Sequence, residues 1–276
     1  MKIRLTPDPE IEVQKLRLGR MPMLLLRPRE GEASCGVLWL HGGGYMLGMK
    51  EMVYMSRAAD LVKKFGALVR SPGYRLAWQK PWPAAAEDCY RALEYLSAQA
   101  RALGYPGEKL MVGGESAGGG LTAAVCMMAR DRGLSIAFQM PLYPMLDNLD
   151  TESSADNHGK VWNTRRNHLG WRLYLRGEAK KAVSPYAAPA RQSDYRNLPP
   201  CYTFVGDGEP FYAETLRYVQ NLNAAGVPAR ADVYHSDMHA FDMLYPERPP
   251  APEAIAAFER AFKEALDNFG KEAERP

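Results

Sequence analysis

The sequence predicts an α/β fold in which a mostly parallel sheet carries helices on both of its faces. Two observations lead to this prediction. Short and continuously apolar runs, such as GVLWL at 36–40 and KLMVGG at 109–114, are typical of strands that are buried on both faces. These runs alternate with longer segments of helical character, and such an alternation is typical of parallel sheets joined by crossover helices.

The predicted elements begin with strands at 21–28, 36–40 and 67–72. A helix at 83–104 follows, with Pro83 at its start, acidic residues in its first turns and Gly104 beyond its end, which are common helix boundary signals. The later elements are a strand at 109–114, a helix at 117–133, a strand within 136–146, a strand at 199–206, a helix at 212–226, a strand at 229–235 and a helix at 252–270.

Composition and charge are those of an ordinary globular protein and exclude several classes of partner. The chain has 276 residues, of which 46% are hydrophobic and 24% charged, so it can bury a sizeable core. Its formal net charge is only +3 and no dense block of Lys and Arg stands out. Neither nucleic acid nor an anionic membrane is therefore an expected partner, and the oligomeric state is left open.

The cysteines and the N-terminal segment bear on the compartment. No CxxC pair and no regular framework links Cys35, Cys89, Cys126 and Cys201, so we expect core thiols in a reducing compartment. The opening residues, MKIRLTPDPE, lack the apolar run of a signal peptide, and MPMLLL at 21–26 is too short to span a bilayer. We therefore expect a cytoplasmic protein. The scattered Cys and His residues offer no ligand spacing for a metal ion.

One segment interrupts the alternation of strand and helix. From Asp147 to about Val183 the chain is first polar, with DNLDTESSADNHGK, and then aromatic and basic, with VWNTRRNHLGWRLYLRG. In an open α/β sheet the site lies at the carboxyl ends of the strands, and an insertion at that edge would cover it as a cap. A surface excursion with no part in the site is the alternative. We predict a single domain over 1–276 with a cap insertion at about 147–183.

The clearest chemical motif is GGESAGGG at 113–120, which contains a GxSxG pattern centred on Ser116. The motif follows a predicted strand and precedes a predicted helix. In this context a sharp turn presents the serine hydroxyl at the end of the sheet, and glycines are needed on either side because the turn leaves no room for side chains. Ser116 is therefore the candidate nucleophile. A Gly-rich helix start that only packs closely on the sheet is the alternative.

A run of three glycines follows His41 in LWLHGGGYMLG at 38–48. Attack by a serine on an acyl group creates a tetrahedral oxyanion, which needs preorganised hydrogen-bond donors. The backbone N–H after the nucleophile, that of Ala117, supplies one donor, and an HGGG-type loop after an earlier strand supplies the others. We expect Gly43 and Gly44 to be those donors. A flexible turn is the alternative.

The nucleophile needs a neutral imidazole within hydrogen-bond reach to accept its proton. The chain has five histidines, which are His41, His158, His168, His235 and His239. The first belongs to the glycine loop, and the next two lie in the insertion. On folds where a GxSxG turn presents the nucleophile, the histidine comes last in the order serine, acid, histidine, which leaves His235 and His239. A position in the loop after a predicted strand favours His239.

The base in turn needs a carboxylate that fixes its tautomer and stabilises the imidazolium. Asp207 and Glu209 both follow the predicted strand 199–206, and either is within reach. Aspartate is the commoner residue in this role, and glutamate is also accepted on such folds. An Asp before a Gly is often a turn residue that bonds its own backbone, which is the alternative role for Asp207.

Several segments together resemble one known family. They are HGGGY, YRLAWQKPWPAAAEDCYRALEYL, GGESAGGG, VSPYAAP, LPPCYTFVGDGEPFYAETLRYVQNLNAAGV and HSDMHAF, and they extend from about Val37 to the end of the chain. They look like the hormone-sensitive-lipase-like family of α/β-hydrolase esterases, which includes bacterial acetyl esterases and broad carboxylesterases. The resemblance implies the α/β-hydrolase fold, with an eight-stranded, mostly parallel sheet and a small helical cap.

The resemblance also implies roles for particular residues. The family's motifs match this chain at the nucleophile Ser116, the base His239 and the oxyanion donors Gly43, Gly44 and Ala117. Where the family usually reads GxxDP, this chain reads Gly206-Asp207-Gly208-Glu209-Pro210. Glu209 thus stands in the place of the usual aspartate. We prefer Glu209 as the acid, with Asp207 as the alternative.

We predict a serine esterase that hydrolyses small-molecule esters with short, acetyl-type acyl groups through an acyl-enzyme, without a metal or organic cofactor. Family members commonly carry a longer region before HGGG, whereas only 40 residues precede His41 here. We expect a reduced cap and therefore a small acyl pocket. The alternatives are a thioester, amide or lactone hydrolase with the same residues, or a non-catalytic small-molecule binder on this fold. The ordered serine, acid and histidine argue against the binder.

Overall fold

Strands and helices alternate along the chain in the computed structural model, which describes residues 5–176 and 182–268. The strands are β1 (Ile11–Leu18), β2 (Met21–Pro28), β3 (Gly36–Leu40), β4 (Leu68–Pro72), β5 (Leu110–Glu115), β6 (Phe138–Leu142), β7 (Cys201–Gly206) and β8 (Ala229–Tyr234). The helices are α1 (Arg57–Phe65), α2 (Ala84–Ala98), α3 (Ala100–Leu103), α4 (Ala117–Asp131), α5 (Thr164–Tyr174), α6 (Tyr212–Ala224), α7 (Phe241–Leu244) and α8 (Ala251–Asn268). Within the described ranges, no helix is both long enough and apolar enough to cross a membrane.

The eight strands form one sheet in the order β1-β2-β4-β3-β5-β6-β7-β8. From β4 to β8, neighbouring strands run parallel, whereas β2 pairs antiparallel with both β1 and β4. The predicted eight-stranded, mostly parallel sheet is therefore confirmed. Because the parallel strands point the same way, the loops after β3, β5, β7 and β8 meet at one edge of the sheet, where a site is expected.

The residues of β3 to β7 are buried throughout because helices cover both faces of the sheet. In β3, Val37 and Trp39 belong to the core on the face covered by α1 and α8. Leu38 and Leu40 belong to the core on the opposite face, which α2 and α4 cover. The Trp39 ring meets the Phe258 ring of α8 edge-on, with centroids 6.2 Å apart. The loop that continues from β3 is thus supported by packed side chains on both sides.

The elements missed in the sequence include strand β1, which lacks a distinctive apolar pattern, and the short helices α1 and α7. Strand β1 is an edge strand that pairs with β2 alone, and its half-exposed sequence IEVQKLRL mixes polar and apolar residues. Helix α1 has nine residues and begins with Arg57, a buried charge. Its boundary signals were available: Ser56 accepts a hydrogen bond from the Ala58 N–H, and Gly66 ends the helix in the left-handed conformation.

The polar insertion contains helix α5, which packs on the glycine loop after β3. Trp171 and Tyr174 of α5 contact Tyr45 of this loop, and the Tyr174 ring stacks on the Tyr45 ring with centroids 4.0 Å apart. The insertion is therefore tied to the carboxyl edge of the sheet by aromatic packing. The predicted cap at 147–183 includes residues 177–181, which lie outside the described residues.

The four cysteines lie in the core, as the sequence predicts. The buried thiols are those of Cys35, Cys89, Cys126 and Cys201. Burial raises the pKa of the Cys35 thiol to about 11. Because the thiolate is the reactive form of cysteine, a buried thiol with a raised pKa is inert. These side chains therefore contribute packing and take no part in the site.

Candidate active site

Ser116 lies at the sharp turn between β5 and α4. Its backbone has φ 57° and ψ −120°, a positive φ that residues with side chains rarely adopt and that costs conformational energy. The two glycines of the GxSxG motif make the turn possible, because a Cβ on Gly114 or Gly118 would overlap the carbonyl oxygen of Leu40. The turn places the Ser116 side chain at the carboxyl edge of the sheet.

His239 and Glu209 form a continuous chain of contacts with Ser116. The loop after β8 carries His239, whose Nε2 lies 2.8 Å from the Ser116 Oγ. The loop after β7 carries Glu209, whose Oε2 makes a short hydrogen bond with Nδ1 of His239. The other carboxylate oxygen, Oε1, accepts a hydrogen bond from the Gly206 N–H at 2.9 Å. Only 6% of Ser116, 5% of His239 and none of Glu209 is exposed, so water competes little for these bonds.

The alternative acid, Asp207, lies nearer the surface and contacts a different histidine. Its Oδ2 is 2.9 Å from Nδ1 of His235, and its Oδ1 accepts a hydrogen bond from the Ser236 N–H at 3.1 Å. The hydrogen bond with His235 lowers the pKa of the Asp207 carboxyl, and the same bond raises the pKa of His235. The structure thus brings Glu209, and not Asp207, against His239.

The three glycines after β3 bring the backbone close to Ser116. A Cβ on Gly42 would lie 3.3 Å from the Ser116 Cβ, and a Cβ on Gly43 would overlap the carbonyl oxygen of Leu47. Gly43 and Gly44 also have positive φ angles, 118° and 60°, which glycine adopts without strain. The loop can turn beside Ser116 only because these positions carry no side chain.

Three amides of this region, those of Gly43, Gly44 and Ala117, have no hydrogen-bond partner among the residues that the structure describes. The amide of Ala117 is in the first turn of α4, where N–H groups lack an acceptor within the helix. The carbonyl of Gly43, by contrast, accepts hydrogen bonds from the N–H groups of Met46 and Leu47, at 3.1 and 2.9 Å, which fix the loop. Amides in a glycine loop and at a helix start are the donors from which oxyanion holes are built.

The remaining histidines lie outside this chain of contacts. The buried His41 ring stacks on Tyr74 with centroids 4.1 Å apart, and its Nδ1 donates to the carbonyl of Gly42 at 2.8 Å. Burial lowers the pKa of His41 to about 4, so the ring is neutral near pH 7 and holds the glycine loop. His158 and His168 contact surface aspartates. Across residues 5–176 and 182–268, no group of three or more His, Cys, Asp or Glu side chains is arranged to hold a metal ion.

Aromatic side chains border both His239 and the glycine loop. Trp162 of the insertion lies so close to Gly44 that a Cβ there would overlap its ring. Tyr143 and Phe211, which sequence reasoning missed, each meet the His239 ring edge-on at a centroid distance of 5.1 Å. Their only signal in the sequence is a position shortly after a strand, β6 for Tyr143 and β7 for Phe211. These rings limit the space beside Ser116.

The sequence is similar to those of known hydrolases. Residues 37–243 match a family model described as the alpha/beta hydrolase fold. The chain belongs to the α/β-hydrolase family. Esterase LipI of Mycobacterium tuberculosis is 31% identical over 230 residues, which cover 82% of this chain and 71% of that protein. Ethyl acetate hydrolase of Pseudomonas putida is 28% identical over 253 residues, which cover 89% of this chain and 79% of that protein.

Solved structures place this α/β-hydrolase among esterases as well. The hormone-sensitive-lipase homologue EstE7, from a metagenome library, superimposes with a TM-score of 0.81 at 26% sequence identity. The superposition covers 95% of this chain and 88% of that chain. The predicted resemblance to the hormone-sensitive-lipase-like esterases is therefore confirmed, and this α/β-hydrolase is a member of that family.

Glu115, the residue before Ser116, is a buried carboxyl in this α/β-hydrolase. Its Oε1 accepts a hydrogen bond from Nε1 of Trp39 at 2.8 Å. Burial raises the pKa of Glu115 to about 8, although the Trp39 hydrogen bond opposes this rise. The carboxyl is therefore protonated near pH 7 and adds no negative charge next to Ser116.

Glu115→Gln is expected to make the stability of the fold less dependent on pH. A carboxyl with a raised pKa in the folded state stabilises the fold at low pH, and this contribution is lost as pH rises from about 4.5 to about 8. Glutamine keeps the oxygen that accepts from Trp39 but has no proton to lose. Urea unfolding across this range should show the wild-type free energy of unfolding falling relative to that of Glu115→Gln. Parallel curves would contradict the raised pKa, and Glu87→Gln at an exposed position is the control.

Proposed function

We propose that this α/β-hydrolase is a serine esterase that hydrolyses small-molecule esters with short acyl groups. Membership of an esterase family makes the chain a carboxylic ester hydrolase. The proposed serine mechanism is supported by the buried chain of contacts that runs from Ser116 through His239 to Glu209. Such a chain activates a serine hydroxyl for attack on an acyl carbon.

In the proposed mechanism, the Ser116 Oγ attacks the carbonyl carbon of the ester. Nε2 of His239, 2.8 Å away, accepts the hydroxyl proton as the new carbon–oxygen bond forms. Glu209 accepts the hydrogen bond from Nδ1–H, which fixes the tautomer and stabilises the imidazolium. Because the Gly206 N–H already holds Glu209, the carboxylate is in place before the reaction begins.

Attack produces a tetrahedral intermediate whose negative charge lies on the former carbonyl oxygen. We assign its stabilisation to the amides of Gly43, Gly44 and Ala117, which have no other partner among the described residues. Donors that are fixed in advance in a largely buried site stabilise this charge without reorganising. The protonated Glu115 carboxyl next to Ser116 avoids repelling the oxyanion.

The second half of the cycle reverses these proton transfers. The His239 imidazolium donates its proton to the leaving alcohol oxygen, and the acyl group remains bonded to the Ser116 Oγ. The neutral imidazole then accepts a proton from a water molecule, which attacks the acyl carbon. Collapse of this second intermediate releases the carboxylic acid and returns the proton from His239 to Ser116. One imidazole thus handles every proton transfer of the cycle.

Limited space near Ser116 supports the proposal of short acyl groups. Trp162 lies against Gly44, and Phe211 lies against His239, with the two aromatic centroids 6.4 Å apart. These bulky side chains leave little room for a long acyl chain beside the glycine loop. Similarity to a protein named ethyl acetate hydrolase, which refers to an acetyl ester, points the same way.

We also propose how the insertion is arranged on the domain and in which compartment the protein is located. We assign the insertion at about 147–183 as a cap on a single domain formed by 1–276. Packing of Trp162 on Gly44 and of α5 on Tyr45 supports this assignment, because both contacts lie beside the glycine loop. The proposed location is the cytoplasm, since a core with four thiols suits a reducing compartment.

Conservative amide substitutions distinguish the two candidate acids. Glu209→Gln keeps the shape of the side chain but removes its charge, so kcat for p-nitrophenyl acetate is expected to fall roughly 1,000-fold. Asp207→Asn alters only a contact with the exposed His235, and a change of less than about threefold is expected. Steady-state kinetics on both variants, with circular dichroism to verify the fold, provide the measurement. The opposite ranking would assign the role to Asp207.

Trp162 is expected to limit the length of the acyl chain. Trp162→Ala opens the space over Gly44, so the ratio of kcat/KM for octanoate to that for acetate should rise about tenfold or more. Trp162→Phe retains a ring at this position and is the matched control, with little expected change. A series of p-nitrophenyl esters provides the measurement. A wild-type maximum at octanoate would rule out the short-acyl proposal, and an unchanged ratio in Trp162→Ala would rule out Trp162 as the residue that limits chain length.

A further inference from the structure

A buried group of charged and polar side chains lies beside His239 and takes no part in the mechanism above. Its members are Arg57 at the start of α1, Tyr143 after β6, and Asp242 in α7. Arg57 is 6% exposed, and Tyr143 and Asp242 are not exposed at all. Three distant parts of the chain therefore meet in the core at the edge of the proposed site.

Asp242 is the centre of this group. Its Oδ1 accepts a hydrogen bond from the Tyr143 hydroxyl at 2.9 Å, and its Oδ2 lies 3.2 Å from Nε of Arg57. Arg57 is held in turn by Asp60, whose Oδ2 accepts a hydrogen bond from Nη1 at 2.7 Å. Each oxygen of the Asp242 carboxylate thus faces one partner, and the short helix α7 is tied to both β6 and α1.

A buried group of this kind fixes the positions of its side chains more than it contributes to the free energy of folding. Moving an ion pair into a core has a desolvation cost that the attraction between the charges does little more than offset. Loss of one partner, however, leaves a buried charge or polar group without compensation, which is strongly unfavourable. Loss of a partner would therefore be costly, and the contacts with the Tyr143 hydroxyl and the Arg57 guanidinium constrain the position of Asp242.

The constraint on Asp242 reaches His239 by two routes. Along the backbone, only Ala240 and Phe241 separate the two residues, and Ala240 has a φ of 58°, which its surroundings must maintain. Through space, the Tyr143 ring meets the His239 imidazole edge-on, with centroids 5.1 Å apart and an interplanar angle of 80°. The hydroxyl of this same ring is bonded to Asp242. One carboxylate therefore fixes both the loop and the ring that border the imidazole.

We infer that Asp242, Arg57 and Tyr143 are positioning residues that hold the His239 imidazole in line with its two partners in the proposed triad. The inference rests on the proposed function. These three residues act through His239 and do not contact the ester. Misplacement of a general base by about 1 Å can lower a rate on the order of 100-fold. The group therefore affects kcat and leaves the binding of substrate unchanged.

Tyr143→Phe is the mildest test, because it removes the hydroxyl bonded to Asp242 and retains the ring beside His239. The kcat for p-nitrophenyl acetate should fall about tenfold, with KM within about twofold of the wild-type value. Tyr202→Phe is the matched control, since its hydroxyl donates to Asp232 at 2.8 Å near the other end of β7, and kcat should not change. Asp242→Asn, which leaves Arg57 without its buried counter-charge, should lower kcat about 100-fold.

A His239→Ala background separates positioning from a general effect on the site. If Tyr143 acts only through the imidazole, Tyr143→Phe should change the residual rate of His239→Ala by less than about twofold. A tenfold further loss in this background would overturn the inference. A wild-type kcat in Tyr143→Phe would also overturn the inference. This variant alone tests the inference if Asp242→Asn does not fold.

Failure of the underlying mechanism gives a different pattern of results. A wild-type protein without esterase activity, or a His239→Ala variant with the wild-type kcat, would refute the proposed triad and the inference with it. An active wild type, a strongly impaired His239→Ala and an unimpaired Tyr143→Phe would keep the triad and overturn the positioning role alone.

Discussion

The close crossing of backbone segments at the turn between β5 and α4 is the constraint on which the site depends. The end of β3 passes so near this turn that the carbonyl oxygen of Leu40 excludes a side chain at both Gly114 and Gly118. Ser116 has a positive φ at the same turn, and the packed core around it maintains this strained conformation. Because the glycine loop continues directly from β3, the crossing also sets how close its amides come to Ser116.

The parallel sheet extends this local geometry into a complete site. Strands β7 and β8 run in the same direction as β5, so the loops that carry Glu209 and His239 reach the same edge. Each loop is also anchored by a buried contact, Glu209 by the Gly206 N–H and the His239 loop by Asp242 and its bond with Tyr143. Anchoring of this kind matters because proton transfer depends on distances that must be held to a fraction of an ångström.

Sequence reasoning succeeded where a local pattern has a local physical cause. The strand and helix alternation predicted the fold class, and the GxSxG motif located the strained turn at Ser116, because both reflect burial and sterics within a few residues. The choice between Asp207 and Glu209 depends on which carboxylate reaches His239, and this is a property of loop geometry. Arg57 and Asp242 carry no motif, since their contact exists only once α1 and α7 have packed together.

Detection of an acyl group on Ser116 is the most direct test of the central claim that this residue is the nucleophile. The enzyme would be mixed with p-nitrophenyl acetate, quenched with acid before steady state, and analysed by intact-protein and peptide mass spectrometry. We expect one acetyl group per chain, located on the peptide that contains Ser116, and neither acetylation nor turnover in a folded Ser116→Ala variant. An acetyl group on a different residue, or wild-type turnover by Ser116→Ala, would contradict this claim.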